Sequence, residues 1–139
     1  MADSFSRLLW HAENLADQQI DAALMPLGLS SSLLGTLRMI AEEPGVSAAE
    51  LARRAEVRPQ STAYAVGRLE QAGYVERRPH PVHGKIMGIH PTTAAAAALQ
   101  AGDAALERAE ARLLDGIGER DRAKLTALLE RVIANAQSR

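Results

Sequence analysis

The most constraining feature of this sequence is a helix start signal around Ser47. Ser47 and Glu50 have the S-x-x-E spacing of a capping box, in which each side chain accepts a backbone N–H of the other residue. Val46 and Leu51 have the spacing of a hydrophobic staple, which packs the residue before the cap against the fourth helical residue. Because the two signals agree, a helix is predicted to begin at Ala48.

A tight turn and a second helix are predicted to follow directly. The turn is assigned to residues 55–59, because proline is favoured at the first position of a helix and Pro59 would occupy it. The second helix is predicted over 59–72, with Gly73 as its left-handed terminator. Its apolar side is formed by Thr62, Ala65, Val66 and Leu69. Two helices joined in this way are typical of a helix-turn-helix unit.

Helices dominate the remainder of the chain. Alanine occurs 27 times and leucine 18 times, whereas valine, isoleucine and threonine together occur 17 times, which favours helix over sheet. Helix-spaced apolar residues predict further helices over 4–24, from Ser30 to about 43, from Pro91 to about 115, and after 118. Short strands are predicted over 74–78 and 85–90, joined by a segment rich in proline and glycine. The predicted fold class is therefore mainly α with a small two- or three-stranded β wing: a winged helix-turn-helix.

Composition excludes several classes of protein. The 139 residues contain no cysteine, which excludes disulfides, thiolate metal sites and cysteine nucleophiles. No apolar run approaches the ~20 residues of a membrane span and no export signal opens the chain, so we expect a cytoplasmic protein without a membrane partner. The sequence has no phosphate-cradling glycine loop, no paired carboxylates in an apolar setting and no serine with a histidine partner. We therefore expect neither an enzyme nor a cofactor.

The formal net charge of -1 conceals an uneven distribution. Residues 1–50 carry a balance of -5 and residues 91–139 a balance of zero, whereas residues 51–90 carry seven basic residues against three acids, a balance of +4. A local cationic patch on an otherwise acidic chain suits a phosphate-binding surface, because the acidic remainder discourages indiscriminate binding of polyanions.

The outward side of the second helix in the predicted helix-turn-helix carries the residue types that read DNA. With its apolar side assigned inward, Gln60, Ser61, Ala63, Tyr64 and Arg68 face outward, together with Gly67. In such units the second helix enters the major groove with its amino-terminal residues near the base edges. Glutamine can pair with adenine, serine can donate to phosphate or base, and an arginine two turns further along is placed for phosphate. We therefore expect these residues to contact double-stranded DNA.

Three segments of the sequence resemble the MarR (multiple antibiotic resistance regulator) family: residues 45–52, 59–62 and 68–77. The most specific part is 69–78, which is similar to that family's pattern of leucine, polar residues, glycine, an apolar pair, glutamate and arginine. The order of elements extends the resemblance over nearly the whole chain. It implies a homodimeric winged-helix transcriptional regulator, usually a repressor, with a pocket for a small-molecule effector between the dimer helices and the DNA-binding lobe.

The resemblance also implies how the chain is divided. Residues 1–139 would form a single domain, in which 1–28 and 91–139 supply long terminal dimerisation helices and 29–90 form the winged helix-turn-helix lobe. Two recognition helices would then enter major grooves about 10 base pairs apart on a pseudo-palindromic site. The dimer contacts are expected on the apolar stripes of the terminal helices, at Leu8, Leu15, Leu106, Leu113, Leu125, Leu129 and Val132.

The predicted wing departs from the family pattern. The family wing usually carries an aspartate and arginines near its tip, and an arginine enters the minor groove. This chain has Pro-His-Pro-Val-His-Gly-Lys at 79–85, so only Lys85 and His83 are available for that role. Arg58 and Arg78 are expected to add DNA contacts at the flanks of the recognition helix and wing.

Three histidines in and beside the wing raise two further hypotheses. His80, His83 and His90 could form part of a metal site, but no carboxylate or cysteine nearby completes the set, so a solvated loop is expected instead. Protonation of His80 and His83 could also add positive charge near DNA phosphate, in which case affinity would rise as the pH falls.

Two alternatives remain open from the sequence. Trp10, His11 and Asn14 on the first helix could contact an effector, or they could pack at a subunit interface. The basic patch could likewise bind an acidic protein partner instead of DNA, which would make the chain a winged-helix interaction module. The salt dependence of binding separates these two functions, because binding to phosphates releases counterions.

Overall fold

The computed structural model describes residues 4–138 and confirms the predicted fold class. The helices are α1 (Phe5–Leu24), α2 (Ser31–Glu42), α3 (Ala48–Ala55), α4 (Pro59–Gln71), α5 (Thr93–Leu113) and α6 (Glu119–Gln137), and the strands are β1 (Val75–Pro79) and β2 (Met87–Pro91). A short 3₁₀ turn, Met25–Leu27, connects α1 to α2. The described residues form two compact units, 4–109 and 110–138, and the boundary falls inside α5. The single-domain division of the chain stays a prediction.

The first unit has one core of aliphatic side chains. Its largest fully buried residues come from five elements, α1 to α4 and β2: Leu24, Leu37, Ile40, Leu51, Val66, Leu69 and Ile89. Alanines of α5 complete the core, among them Ala95, Ala98 and Ala105. Small side chains allow α5 to approach closely: a Cβ at Gly102 would lie 2.7 Å from Cδ1 of Leu34 on α2.

Helix starts in this unit are fixed by the side chains that the sequence predicts. Ser30 Oγ accepts the Leu33 N–H at 3.1 Å and Ser47 Oγ accepts the Glu50 N–H at 3.2 Å. One further contact is long-range, since Asp21 Oδ1 accepts the Ser31 N–H at 2.7 Å and so joins α1 to the start of α2. These caps satisfy backbone donors that the first helical turn leaves without intrahelical partners.

Two predicted boundaries around the wing are wrong. β2 runs two residues later than predicted at its start, from Met87, and it includes Pro91, so α5 begins at Thr93 rather than at Pro91. The antiparallel register pairs Val75 with Pro91 and Pro79 with Met87. The reason is that Pro91 pairs with Val75 of β1 and so belongs to the strand. From the local sequence alone, a proline at this position suggests the start of a helix. A single bridge from Val46 to Ile89 on β2 adds a minimal third strand position.

The second unit, residues 110–138, contains the last turn of α5 and all of α6. Arg122 ties the connection together, because its Nε donates to the Ile117 carbonyl at 2.6 Å and a terminal nitrogen donates to the Leu114 carbonyl at 3.0 Å. Glu119 and Asp121 lie in the first turn of α6 as predicted, where acids complement the helix dipole. None of the described residues of α6 is buried.

Apolar side chains on α1 and α6 are uncovered in the single chain. Exposed residues include Phe5, Leu8 and Leu15 on α1 and Leu125, Leu128, Leu129 and Ile133 on α6. Leu106 on α5 differs, since it packs partly against the core of the first unit. Within residues 4–138, no single helix is long and apolar enough to cross a membrane. α1 and α2 reach the necessary length and apolar character only when they are taken together, and they are joined by a sharp bend. The leucines of α2 are buried in the core.

Candidate nucleic-acid interface

The helix-turn-helix is formed by α3, a turn over 56–58, and α4. The turn reverses the chain at Glu56, whose φ of 56° is the left-handed conformation that non-glycine residues rarely adopt. Its N–H donates to the Ala52 and Arg53 carbonyls and closes α3. Of the predicted capping box, the bond to the Ser47 hydroxyl is present, while the Glu50 carboxylate is engaged by arginines of its own helix.

The two faces of α4 divide as the sequence predicts. Thr62, Ala65, Val66 and Leu69 are buried in the first unit. Gln60, Ser61, Ala63, Tyr64 and Arg68 are exposed, and Tyr64 retains 69% of its accessible surface. The helix begins at Pro59 with Arg58 as its N-cap, and no side chain accepts a hydrogen bond there. The structure therefore presents a polar helix face next to an uncapped helix start.

Ion pairs divide the basic patch into two groups. Arg53 and Arg54 of α3 pair with Glu50, and Arg54 also pairs with Glu43. In addition, Arg77 contacts Glu70 and Arg78 contacts Glu76. By contrast, Arg58, Arg68 and Lys85 form no ion pair within the described residues 4–138. These three cations can bind an external phosphate without first breaking an internal pair, whereas Arg78 must leave its carboxylate.

A cleft of about 680 Å³ lies beside α4 in the first unit. Gln60, Ser61, Tyr64 and Arg68 line one wall, and residues of the α1–α2 connection and of α2, including Met25 and Leu29, line the other. The predicted DNA-facing residues thus also form a concave surface with an apolar side. The sequence did not indicate this cleft, because its second wall is formed by residues between 25 and 33, far from α4 in the chain.

The three candidate effector residues lie elsewhere on the first unit. Trp10 is exposed on α1, and its carbonyl accepts a hydrogen bond from the Asn14 side chain at 2.8 Å. His11 is exposed on the same helix. None of these three described residues lines the cleft beside α4.

The wing is short and its strands are held close to the α2–α3 connection. Ile89 of β2 exchanges backbone hydrogen bonds with this connection: its carbonyl accepts the Gly45 N–H and its N–H donates to the Val46 carbonyl. The approach leaves no room for a side chain, because a Cβ at Gly88 would lie 2.9 Å from the Gly45 carbonyl oxygen. Lys85 and His83 lie exposed in the loop between the strands. Within residues 4–138, no group of three or more histidine or acidic side chains is arranged to hold a metal ion.

Comparison with known proteins identifies the family. A sequence profile described as "MarR family" matches residues 27–86. The HTH-type transcriptional repressor Rv2887 of Mycobacterium tuberculosis is 32% identical over 125 residues, which is 90% of each chain. This chain belongs to the MarR family. MarR proteins are transcriptional regulators, and the helix-turn-helix and wing described above are the fold of that family.

Solved structures of MarR-family proteins extend the comparison to ligands. The structure of the M. tuberculosis protein Rv2887 with DNA has a TM-score of 0.76 and 30% identity, and the match covers 94% of this chain and 98% of that one. The same protein with salicylic acid gives a TM-score of 0.74 over 94% and 97% of the two chains. A probable transcriptional regulator from Pseudomonas aeruginosa has a TM-score of 0.85 at 22% identity, covering 94% and 97%, and it supports the fold alone.

Two side-chain hydrogen bonds that hold the helix-turn-helix lobe together were not predicted from the sequence. The Tyr74 hydroxyl donates to the Leu27 carbonyl at 2.6 Å and ties the α4–β1 junction to the α1–α2 connection. The second bond joins the β2–α5 connection to the α4–β1 junction, because the Thr92 hydroxyl donates to the Gly73 carbonyl at 2.6 Å. The pattern around Gly73 signalled a helix end, but neither long-range partner has a local signature.

Proposed function

We propose that this chain is a cytoplasmic, homodimeric transcriptional repressor that binds a pseudo-palindromic DNA site and is released from it by a small aromatic carboxylate. The observation that carries the DNA-binding role is the division of α4, which buries one face in the core and leaves Gln60, Ser61, Tyr64 and Arg68 exposed. The complex of the related Rv2887 protein with DNA supports the same role for this chain.

Selection of bound duplexes from a random pool tests DNA binding and measures the spacing of half-sites at once. We expect two half-sites with centres about 10 base pairs apart, one for each recognition helix. A pool from which nothing is enriched would refute the proposal and favour the alternative of a protein-interaction module. A single half-site would contradict the dimeric arrangement.

Substitutions on α4 then separate base contacts from phosphate contacts. Gln60→Ala is expected to change the selected sequence, because a glutamine side chain can pair with adenine. Arg68→Ala is expected to weaken binding to all sequences. It should also reduce the magnitude of the slope of log K against log salt concentration by about 1.8, because the dimer loses two phosphate contacts at about 0.9 each. Arg120→Ala on α6 removes the same charge outside the helix-turn-helix and serves as control. Identical effects of the two α4 variants would contradict these roles.

Uncovered apolar side chains on the terminal helices support the dimer. A chain this short gains stability by burying such stripes against a second copy. Leu8→Glu is expected to shift sedimentation at micromolar concentration from dimer to monomer, because a charge would enter the interface. Ile86→Glu is a matched control, since Ile86 in the wing is 48% exposed and Leu8 is 52% exposed. A monomeric unmodified protein would refute the proposal.

The cleft beside α4 supports the choice of effector. It combines the Arg68 guanidinium, the Tyr64 and Ser61 hydroxyls and the apolar Met25 and Leu29, which suit a carboxylate attached to an aromatic ring. The related Rv2887 protein has been solved with salicylic acid and with p-aminosalicylic acid. A carboxylate held by Arg68 would occupy the cation that DNA phosphate needs, so ligand and DNA would compete.

Titration with salicylate distinguishes this cleft from the sequence-predicted residues on α1. We expect Arg68→Ala to weaken salicylate binding about tenfold or more, the loss typical of a charged hydrogen bond. Trp10→Phe is expected to leave the affinity unchanged. The opposite result would place the effector against Trp10, His11 and Asn14. If salicylate binds without lowering DNA affinity, release by this ligand is refuted.

A further inference from the structure

The loop between β1 and β2 is organised around one histidine side chain. Nδ1 of His80 accepts two backbone hydrogen bonds, from the N–H groups of Val82 and of His83, both at 3.1 Å. The backbone of the same residue donates to the Ile86 carbonyl at 2.8 Å, and the Ile86 N–H returns to the His83 carbonyl at 2.8 Å. The wing tip, 81–86, is thus closed on itself by His80.

We propose that His80 is a positioning residue for DNA binding, which holds the wing tip through its unprotonated Nδ1 and releases it when that nitrogen takes up a proton. The inference rests on the proposed DNA-binding function and deepens it. In addition to the DNA contacts proposed for α4, it makes the conformation of the wing tip depend on pH.

The chemistry of the imidazole ring gives the direction of the effect. A neutral imidazole that accepts at Nδ1 carries its hydrogen on Nε2, whereas an imidazolium carries hydrogens on both nitrogens and accepts no bond. The turn and a proton therefore compete for one lone pair. Protonation of His80 removes the partner of two backbone donors and faces them with a new N–H.

The second histidine of the loop strengthens this competition. The rings of His80 and His83 stack with centroids 5.3 Å apart and an interplanar angle of 27°. Two positive charges at this distance repel, so protonation of both rings opposes the stack as well as the turn. His83 protonation alone adds a charge near DNA, which is the effect that the sequence suggested. For His80 the expected effect is the opposite: its protonation opens the turn and lowers the affinity for DNA.

Other charged and titratable groups around His80 come from β1, β2, α3 and the α2–α3 connection. His80 lines one cleft together with Arg78 of β1 and His90 of β2. It also lines a second cleft together with Glu43, Glu50 and Arg54. Arg54 is paired with both glutamates and Arg78 with Glu76, so these charges are largely balanced within the protein. The remaining titratable side chains that line these two clefts beside His80 are His83 and His90.

The wing tip has one cation with which to act on DNA. Lys85 lies inside this closed loop, two residues after His83, and forms no ion pair within the described residues 4–138. While the turn is closed, Lys85 is held at a fixed place on the hairpin, and its binding to phosphate costs little additional ordering. An open turn leaves the same charge on a mobile loop, so affinity is expected to fall.

The DNA affinity of the protein, measured by fluorescence anisotropy at about pH 8 and about pH 6 at constant ionic strength, tests the inference. His80→Asn is the decisive variant, because the asparagine oxygen accepts the same local N–H groups and does not titrate. We expect it to bind like the unmodified protein at the higher pH. At the lower pH, the unmodified protein should bind about three- to tenfold more weakly than the variant. This change in affinity corresponds to the net contribution of one lost hydrogen bond. His80→Ala, which removes the acceptor, should bind weakly at both values.

Three outcomes overturn the inference. The first is the same pH profile for the unmodified protein and His80→Asn, and the second is unchanged binding by His80→Ala at the higher pH. The third is measured on the DNA-free protein: hydrogen exchange of the Val82 and His83 amides, corrected for intrinsic rates, that shows equal protection at both pH values. If the unmodified protein binds no selected duplex at either pH, the proposed function itself has failed, and the exchange measurement alone decides whether His80 closes the turn.

Discussion

Replacing Gly102 by alanine tests the close approach of α5 to α2. An ideal Cβ at Gly102 would lie 2.7 Å from Leu34 Cδ1, a distance that real Cβ atoms essentially never show. Leu34 is 2% exposed, so its side chain has little space into which it can move. The added methyl group must therefore displace packed atoms in the core.

The expected magnitude follows from two opposing effects. Alanine is more favourable than glycine inside a helix by about 1 kcal/mol. Insertion of one extra methyl group into a packed core costs about 1–3 kcal/mol. The net effect of Gly102→Ala on the free energy of unfolding is therefore a loss of about 0–2 kcal/mol. Gly35→Ala on α2 is the matched control, because its Cβ would meet no atom within 4 Å and only the gain of about 1 kcal/mol applies.

Urea unfolding followed by circular dichroism, at one fixed protomer concentration, measures both variants. A third measurement assigns the cause. In a Leu34→Ala background the clashing atoms are absent, so Gly102→Ala should become stabilising by about 1 kcal/mol. If Gly102→Ala stabilises the unmodified protein as much as Gly35→Ala does, the close packing of α5 on α2 is refuted.

Three further predictions concern the wing, the start of α4 and an ion pair. Gly88→Ala should lower the free energy of unfolding by about 2 kcal/mol, because β2 would have to move away from the Gly45 backbone. Arg58→Ser should raise it by about 1 kcal/mol by capping α4, and should weaken DNA binding through the lost charge. Hydrogen bonds from the Arg38 guanidinium hold the pKa of Asp103 below its ordinary value, so this pair stabilises the fold at neutral pH and ceases to do so as the pH falls through that lowered pKa. Asp103→Asn should therefore cost about 0.5 kcal/mol at neutral pH and nothing in acid, since both side chains are more than a third exposed.

Urea unfolding checks all three stabilities. Gly84→Ala, whose Cβ would meet open space, is the control for Gly88→Ala, and equal effects of the two would contradict the close strand approach. Arg58→Lys keeps the charge without a cap, so a gain in stability for this variant would show that capping is not the cause. A cost of Asp103→Asn that is the same in acid as at neutral pH would contradict the role of the ion pair.

Elements with local causes were predicted well from the sequence. Caps at Ser30 and Ser47, the proline start of α4 and the left-handed Gly73 each depend on residues within one helical turn. The inward face of α4 followed from helical spacing alone. The end of β2 was wrong because Pro91 belongs to a strand through its pairing with Val75, which lies in another part of the chain.

The candidate site was predicted only in part. Helical periodicity identified the exposed residues of α4, but the cleft beside them depends on Met25 and Leu29, which share no pattern with α4. The histidines of the wing were noticed as titratable groups. The two hydrogen bonds that His80 Nδ1 accepts were not predicted, because they exist only when the loop is closed.

The sequence by itself determined where α2, α3 and α4 begin and which side of α4 is apolar, and hence the helix-turn-helix with its exposed polar face. These properties depend on neighbours one to four residues apart, which the chain specifies before it is compact. Only the tertiary structure decided the Arg38–Asp103 pair, the contact between Gly88 and Gly45, and which arginines of the basic patch are already paired. Such contacts join residues that are distant in sequence, and their geometry is set by how closely whole elements pack.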